Sequence, residues 1–330
     1  MWQWGVEAMA GLLSICVPIY DFVVTDTVAR FLAEADAYGL NVEVVAIDDH
    51  SRAPYADKNA QIAEDARVRY LPLLENVGRS RIRNLLADYA RGEWLLFMDC
   101  DMVPEYDDYL RRYISCMEQE VDVVSGGVHY GPQPDTSKLL LRWRYEMFMQ
   151  RLLSRASRYS DVNRVTTANF LIRRRVYQRV RFNEGLSGYG QEDRLFNLQL
   201  IKRKVRMKHI DNPMRHLGQE DNEKFLLKIH ESTRNLVRVW NANPEDRPTM
   251  VWASPRLRVI RFLRRLGLDR LLSSLFMALR GRLQQRILCG RMPMFLLSFY
   301  QTGYLTYVLR RPALPERGYA IDRELSQRVA

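Results

Sequence analysis

The sequence predicts an α/β fold: a doubly wound sheet flanked by helices, followed by a helical and strongly basic C-terminal extension. Three observations lead there. Short apolar runs alternate with stretches of helical periodicity up to about residue 130, the pattern of strands and helices laid down in turn. Three of those apolar runs pass into polar residues at their C-terminal ends, the edge at which open α/β sheets bind ligands. Residues 247–330 carry 16 arginines, no lysine and four acids, whereas the 34 basic and 35 acidic residues before them nearly balance. The net charge of +11 therefore belongs to the tail.

In order along the chain, LLSICVPIY (12–20) reads as the first strand, a continuous apolar run of the kind buried on both faces. DTVARFLAEADAYG (26–39) has helical periodicity and stops at Gly39, and VEVVAIDDHS (42–51) is the second strand. VRYLPL (68–73) is a third strand weakened by Pro72, SRIRNLLADYARG (80–92) a helix stopped by Gly92, and EWLLFMD (93–99) the fourth strand. The second half is less regular. A basic amphipathic helix is expected over 137–158, a strand running into a helix over 166–180, and a Gly-rich loop opening a helix over 188–204. Short strands follow at 206–210 and 214–218 around Pro213, then a long helix over 222–240. The three prolines of 241–255 read as a linker. No repeat or low-complexity segment interrupts the chain.

Composition excludes several classes. With 47% hydrophobic and 27% charged residues over 330 positions the chain is neither disordered nor fibrous. Cys16, Cys100, Cys116 and Cys289 form no CxxC pair, so neither a zinc cluster nor a disulfide framework is indicated and a reducing compartment fits. The first twenty residues lack the basic n-region and clean apolar core of a signal peptide, so a cytoplasmic start is expected.

The chemistry concentrates at the strand ends. WLLFMDCDMVP (94–104) runs a buried strand into Asp99 and Asp101, two carboxylates that repel each other. With 21 aspartates in 330 residues about one such spacing arises by chance, so the location carries the weight. Carboxylates at the edge of a buried strand attract a hard divalent cation, and Mg2+ is typically held by one or two carboxylates together with phosphate oxygens. Side chains alternate along a strand, so Cys100 points away as a small core residue. Asp48 and Asp49 also end a strand, where a turn with polar caps is the ordinary explanation. ENVGRSRIRN has too few glycines to cradle phosphate, so Arg81 and Arg83 are either solvated or, set beside Asp49 and Asp99, positioned to neutralise it. GYGQED puts Glu192 and Asp193 in the first turn of a helix, which favours acids electrostatically, and the two glycines leave the pair accessible. His216, alone on an apolar strand, is more often structural than a ligand.

Taken together, SICVPIY, VEVVAIDDHS, ENVGRSRIRN, WLLFMDCDMVP, TTANFLIRR and GYGQED resemble, in sequence and spacing, the motifs of the family 2 glycosyltransferases with the GT-A fold, over about residues 12–220. The resemblance implies a catalytic domain over 1–246, its nucleotide-binding half near 12–130 and its acceptor half near 131–246. It implies inverting transfer, of hexosyltransferase type, from a nucleotide-diphosphate sugar, UDP-linked, to a hydroxyl of a glycan or lipid-linked saccharide. By similarity Asp49 accepts the N3 proton of a uracil-type base, the backbone around Pro18 lines the base pocket, and Arg83 lies near the base or the diphosphate. Asp99 reaches the ribose, or the metal through water; Asp101 binds Mn2+ or Mg2+, with His216 a further ligand. Asp193 is the general base and Glu192 contacts the acceptor or orients its neighbour. Arg194 follows the ED pair where some relatives have an acid, and GYGQ stands where relatives carry Trp or Gly. No QxxRW motif is present, which favours single transfer over processive synthesis.

In the tail, residues 256–291 hold ten arginines and one acid, interleaved with Leu268, Leu271, Leu272, Leu275, Phe276, Leu279, Leu283 and Ile287 at helical spacing. Either the apolar face docks on the catalytic domain, or the helix lies on an anionic membrane surface. The uncharged stretch 292–309 is short and polar for a span, so shallow insertion with aromatic anchors is expected, at the cytoplasmic face of the membrane. Two other classes compete. A nucleotidyltransferase shares the acidic sheet edge but calls for a Gly-rich basic loop after the first strand, which VPIYDFVVTD lacks. A nucleic-acid or anionic-surface binding protein built on the tail leaves the acidic strand ends unexplained, so no nucleic-acid partner is expected.

Overall fold

A computed structural model of the chain describes residues 9–157, 165–186, 188–218, 220–252, 254–290 and 292–311. Residues 1–8, part of the start read above as cytoplasmic, and 312–330 of the tail lie outside the described residues. Two compact units form: Met1–Gly131 with Val162–Leu186 and Glu192–Gly218, and Pro132–Asp161 with Ser187–Gln191 and Gln219–Ala330.

The first unit is built on β1 (Met9–Ile19), α1 (Thr25–Tyr38), β2 (Val42–Asp48), α2 (Ala53–Ala60), β3 (Val68–Pro72), α3 (Arg79–Tyr89) and β4 (Gly92–Met98). All seven residues of β2 are buried. That explains its unbroken apolar reading, since a parallel strand covered on both faces has no solvent side to alternate with. Gly39 stops α1 in the left-handed region, with φ of 62°, where other residues pay a steric cost. Next come β5 (Met102–Pro104), α4 (Tyr109–Met117), β6 (Val123–Ser125), β7 (Val128–Tyr130), β8 (Asn169–Arg173), α6 (Arg174–Val180), α7 (Glu192–Lys202), β9 (Met207–His209) and β10 (Met214–His216), with α5 (Leu140–Ser157) falling in the second unit. The main sheet has the order β3-β2-β1-β4-β8-β6-β9 and a small one the order β5-β10-β7. β1 pairs in parallel with β2 on one side and β4 on the other, and β8 lies antiparallel to β4. The strand order thus runs outward in opposite directions from between β1 and β4, and the C-terminal ends of these two strands are where open α/β sheets of this kind bind their ligands.

Aromatic side chains fill both faces of the sheet. Phe31 stacks on Tyr109 at 5.7 Å on one side; on the other Phe97 stacks on Phe170 at 5.1 Å and Phe182 on Phe196 at 4.3 Å. Between the two sheets sits Asn169, with no exposed surface. The Tyr109 and Tyr113 hydroxyls each donate to its Oδ1 at 2.7 Å, and its Nδ2 donates to the carbonyls of Gly127 at 2.7 Å and Asn212 at 2.9 Å. Replacing it by leucine takes one hydrogen-bond partner from each of two hydroxyls and two carbonyls in the core. Asn169→Leu is therefore expected to lower the unfolding free energy by about 3 kcal/mol, read as a lower urea midpoint at unchanged slope.

The second unit adds α8 (Asn222–Ala242), α9 (Arg247–Trp252), α10 (Pro255–Arg265), α11 (Asp269–Leu288) and α12 (Met294–Leu309). Two expectations are corrected here. The three-proline stretch is no linker: Pro244–Asp246 forms a 3-10 turn that leads into α9. And α12 is a core helix of this unit. Leu297, Tyr300, Tyr304, Leu305 and Val308 are buried, and His230 of α8 stacks on Tyr304 at 4.2 Å while its Nε2 lies 2.8 Å from the Tyr300 hydroxyl. A Cβ at Gly303 would meet Phe276 of α11 at 2.7 Å, so glycine there admits the ring. Of the aromatic residues in the stretch expected to anchor in a membrane, Tyr300, Tyr304 and Tyr307 are buried in protein. Among the described residues no helix is long and apolar enough to cross a membrane.

Candidate active site at the sheet edge

Asp48 closes the turn after β2. Its Oδ1 accepts from the Ser51 N–H at 2.7 Å and its Oδ2 from the Tyr70 hydroxyl at 2.8 Å. Asp49, also buried, accepts from the backbone N–H groups of Val77 at 2.6 Å and Gly78 at 3.1 Å, and so pins the loop that starts α3. Burial pushes its carboxyl up from the ordinary range, and these two donors pull it part of the way back. Pro18 pairs with Ile47 in the neighbouring strand, so Pro18 and Asp49 sit at adjoining strand ends.

Helix α3 then presents Arg79 and Arg83 on one face. Arg83 is buried, its guanidinium 2.5 Å from Asp99 Oδ1, donating to the Arg79 carbonyl at 3.0 Å and lying 5.4 Å from the Phe182 ring centre. Burial alone would lower its pKa, yet the charges of Asp99, Asp193 and Glu192 outweigh that and hold it up. The arginine stays charged in the interior because acids surround it. Arg81, paired with Arg83 in the sequence reading, is exposed on the other side of the helix. Arg79 takes its place, with Nη1 3.8 Å from Glu192 Oε1.

Past β4 the two aspartates part. Asp99 joins Arg83. Cys100 packs against the core, where burial pushes its thiol up to about 12, so it is no ligand. Asp101 faces His216, Oδ2 to Nε2 at 3.1 Å, because β5 and β10 pair antiparallel with Met102 opposite His216. A Cβ on Gly218 would come within 2.5 Å of Asp101 Oδ2 and 2.7 Å of His216 Cε1, so glycine keeps the approach to this pair open. One carboxylate and one imidazole suit a divalent ion that draws its remaining ligands from phosphate and water. Among the described residues no group of three or more His, Cys, Asp or Glu could hold a metal without such help.

Glu192 and Asp193 open α7 with different environments. Glu192 is buried; Asp193 is exposed and accepts a hydrogen bond from the buried Thr167 hydroxyl. Gln191, just before them, adopts φ of 81°, rare for a side chain with a Cβ and a feature that clusters at functional sites. The neighbouring glycines serve packing rather than access: a Cβ at Gly190 would sit 2.5 Å from Ser232 Oγ, and one at Gly188 would overlap Glu231. Burial first, then the Asp193 charge, raises the Glu192 pKa. An acid whose pKa is raised on folding holds its proton more tightly in the native state. Glu192 therefore favours the fold at low pH, and that contribution is lost as pH rises from the ordinary glutamate range through the raised value. Glu192→Gln should flatten this decline, so that its melting temperature, measured across pH, overtakes the parent's on the alkaline side.

The structure thus joins Arg79, Arg83, Asp99, Thr167, Glu192 and Asp193 in one network, with Asp101 and His216 beside it and Asp49 tied in through α3. Arg79, Thr167 and Phe182 escape the sequence reading. The signal for Arg79 was its i, i+4 spacing to Arg83, which puts both on one helix face. Thr167 stood inside the quoted TTANF stretch, but nothing in the sequence points its hydroxyl at Asp193.

Comparison with known proteins comes from three sides. A model of the family described as Glycosyl transferase family 2 matches residues 14–181. Glycosyltransferase GlyG of Streptococcus pneumoniae serotype 4 is 26% identical over 137 residues, which is 38% of this chain and 42% of that protein. The chain so matched spans less than half of that relative. Among solved structures, mannosyltransferase PcManGT from Pyrobaculum calidifontis, in complex with GDP-Man and Mn2+, superimposes with a TM-score of 0.57 at 14% identity, covering 93% of this chain and 89% of that one. S. aureus TarS 1-349 in complex with UDP-GlcNAc gives 0.51 at 20% identity, covering 90% and 89%. At such identities these likenesses establish the fold: mixed α/β, with a mostly parallel central sheet flanked by helices.

Proposed function

This chain belongs to glycosyl transferase family 2, and from that premise we propose that it is an inverting glycosyltransferase of hexosyltransferase type. It moves a sugar from a nucleotide-diphosphate donor, UDP-linked, to a hydroxyl of a glycan or lipid-linked saccharide. The observation that carries the reading is the network at the sheet edge: an exposed carboxylate, Asp193, held by Thr167 within the field of the buried Arg83, which is itself paired with the half-buried Asp99. One edge thus offers a proton acceptor and a cation for phosphate.

Each residue has a task in this reading. Asp193 takes the proton of the attacking hydroxyl, a service typically worth about 10² to 10⁴ in rate. The Thr167 hydroxyl fixes its carboxylate, and Glu192 contacts the acceptor or orients Asp193. Attack from the face opposite the nucleotide inverts the anomeric centre. Asp49 accepts the N3 proton of the base, with the backbone at Pro18 lining that pocket, while Asp99 meets the ribose. Arg83 and Arg79 face the diphosphate as it gathers charge. Asp101 and His216 would hold a divalent ion, Mn2+ or Mg2+, which would supply positive charge at the diphosphate leaving group in place of a general acid. PcManGT, solved with GDP-Man and Mn2+, and TarS, solved with UDP-GlcNAc, support a nucleotide-sugar donor and a divalent ion by analogy. Residues 1–246 form the catalytic part, and 247–330 bring it to an anionic membrane surface at the cytoplasmic face.

Calorimetric titration of UDP and of GDP, with and without Mn2+, tests this. The expected result is metal-dependent binding of one nucleotide, UDP first. No binding of either nucleotide with any divalent ion overturns the transferase reading.

A further inference from the structure

The basic tail folds into helices whose outward side has a chemistry the catalytic reading does not use. In α10 and α11 the inward residues are Leu257, Ile260, Phe276, Leu283 and Ile287, all buried. A second set of large apolar side chains points the other way. Phe262 is 61% exposed and Leu271 65%, with Leu266, Leu268 and Leu275 also exposed. They gather about one corner, where Gly267 turns the chain from α10 to α11 with φ of 70° and leaves Leu266 and Leu268 on either side of the turn. At the same corner Arg264, Arg270, Arg310 and Arg311 line a cleft of about 650 Å3. Its acid, Asp269, is engaged by Arg310 at 2.6 Å, so the cleft as a whole is strongly positive.

We propose that this corner is a membrane-docking site, in which the arginine-lined cleft takes the phosphate of an anionic phospholipid headgroup while Phe262, Leu266, Leu268, Leu271 and Leu275 enter the boundary of the acyl layer. Charge complementarity selects the occupant. Guanidinium groups match phosphate oxygens with paired donors, and an apolar ridge flanked by such groups fits a surface whose charged plane lies a few ångströms above hydrocarbon. Single-stranded nucleic acid would need aromatic platforms for its bases. Four of the five ridge residues are leucines, which offer none. The site refines the membrane side of the function proposed above and rests on that reading, while owing nothing to donor chemistry. It also moves the contact from the stretch 292–309, which is core, to the α10–α11 corner.

Co-sedimentation of the full chain tests it, using vesicles of phosphatidylcholine alone and of phosphatidylcholine mixed with phosphatidylglycerol. The chain should follow the anionic vesicles and leave the neutral ones. Each basic residue near such a surface is worth roughly a factor of five, so the double variant R264A/R270A should partition about twenty-five-fold more weakly. The variant F262S/L271S, which keeps every charge, should also lose binding. Unchanged partition of both variants overturns the proposal. So does retention of a single-stranded RNA probe, weakened in R264A/R270A, by a chain that ignores vesicles. Vesicle binding is scored without nucleotide, so a chain that docks but binds neither UDP nor GDP keeps this inference and loses the transferase reading, and the converse result does the opposite.

Discussion

Asp193→Asn is expected to lower kcat by about 10² to 10⁴ while donor affinity stays within a factor of a few. Asparagine has nearly the shape of aspartate, and its amide oxygen can still accept from the Thr167 hydroxyl, so the start of α7 keeps its geometry. What disappears is the capacity to take a proton from a sugar hydroxyl, which is a poor nucleophile at neutral pH. The loss therefore falls on a step that follows binding, and kcat drops with little change in KM for the donor. The position of Asp193 explains why it, and not Glu192, is assigned the proton. Asp193 is open to solvent and within hydrogen-bond reach of an orienting hydroxyl, whereas Glu192 is buried beside Arg79. Steady-state rates of donor turnover, with nucleotide titrations on the same preparations, check the prediction. A variant with undiminished kcat would remove Asp193 from the chemistry.

How much of this was legible in the sequence depends on the range of the interactions that decide each element. The strands Val42–Asp48 and Gly92–Met98 are continuous apolar runs because both faces of the sheet are covered, and Gly39 sits where a left-handed stop is needed. Those features are local and could be read directly. The strands of the small sheet, Met102–Pro104, Val128–Tyr130 and Met214–His216, have three residues each, too few for a period to declare itself. Two of them nonetheless decide the site, since their pairing carries His216 to Asp101.

Residues 292–309 failed for another reason. A helix buried in protein and one lying in a membrane interface share a composition, and only the partner, here His230 against Tyr304, tells them apart. The same holds for Gly188 and Gly190. A glycine needed for close approach to Glu231 and Ser232 looks, in sequence, like one that opens a path for ligand. The acids and Arg83 were visible as strand-end and helix motifs, whereas Arg79 and Thr167 needed coordinates because their partners lie far away in the chain.

Asp101→Asn is expected to abolish the response of nucleotide affinity to Mn2+ and to lower kcat/KM by about 10² to 10³, the usual loss when one stabilising contact to developing charge is removed. The substitution leaves the scaffold in place. β5 and β10 still pair, the Leu217 N–H still donates to the backbone carbonyl of residue 101 at 2.8 Å, and an amide oxygen can still accept from His216 Nε2. It removes a negative charge at the point where a divalent ion and a diphosphate would meet. In the parent chain Asp99 is engaged by Arg83 at 2.5 Å, whereas Asp101 faces His216 at 3.1 Å. Neutralising Asp101 therefore withdraws the anionic half of a two-residue ligand set, and the imidazole alone holds Mn2+ poorly against water. Titration of the nucleotide over a series of Mn2+ concentrations reads this out as a flat line in place of a rising affinity. If affinity in the variant still climbs with Mn2+, the ion is held elsewhere, and Asp99 would have to release Arg83 to hold it. That exchange would take from the buried Arg83 guanidinium its nearest carboxylate, a cost that makes Asp101 the cheaper ligand.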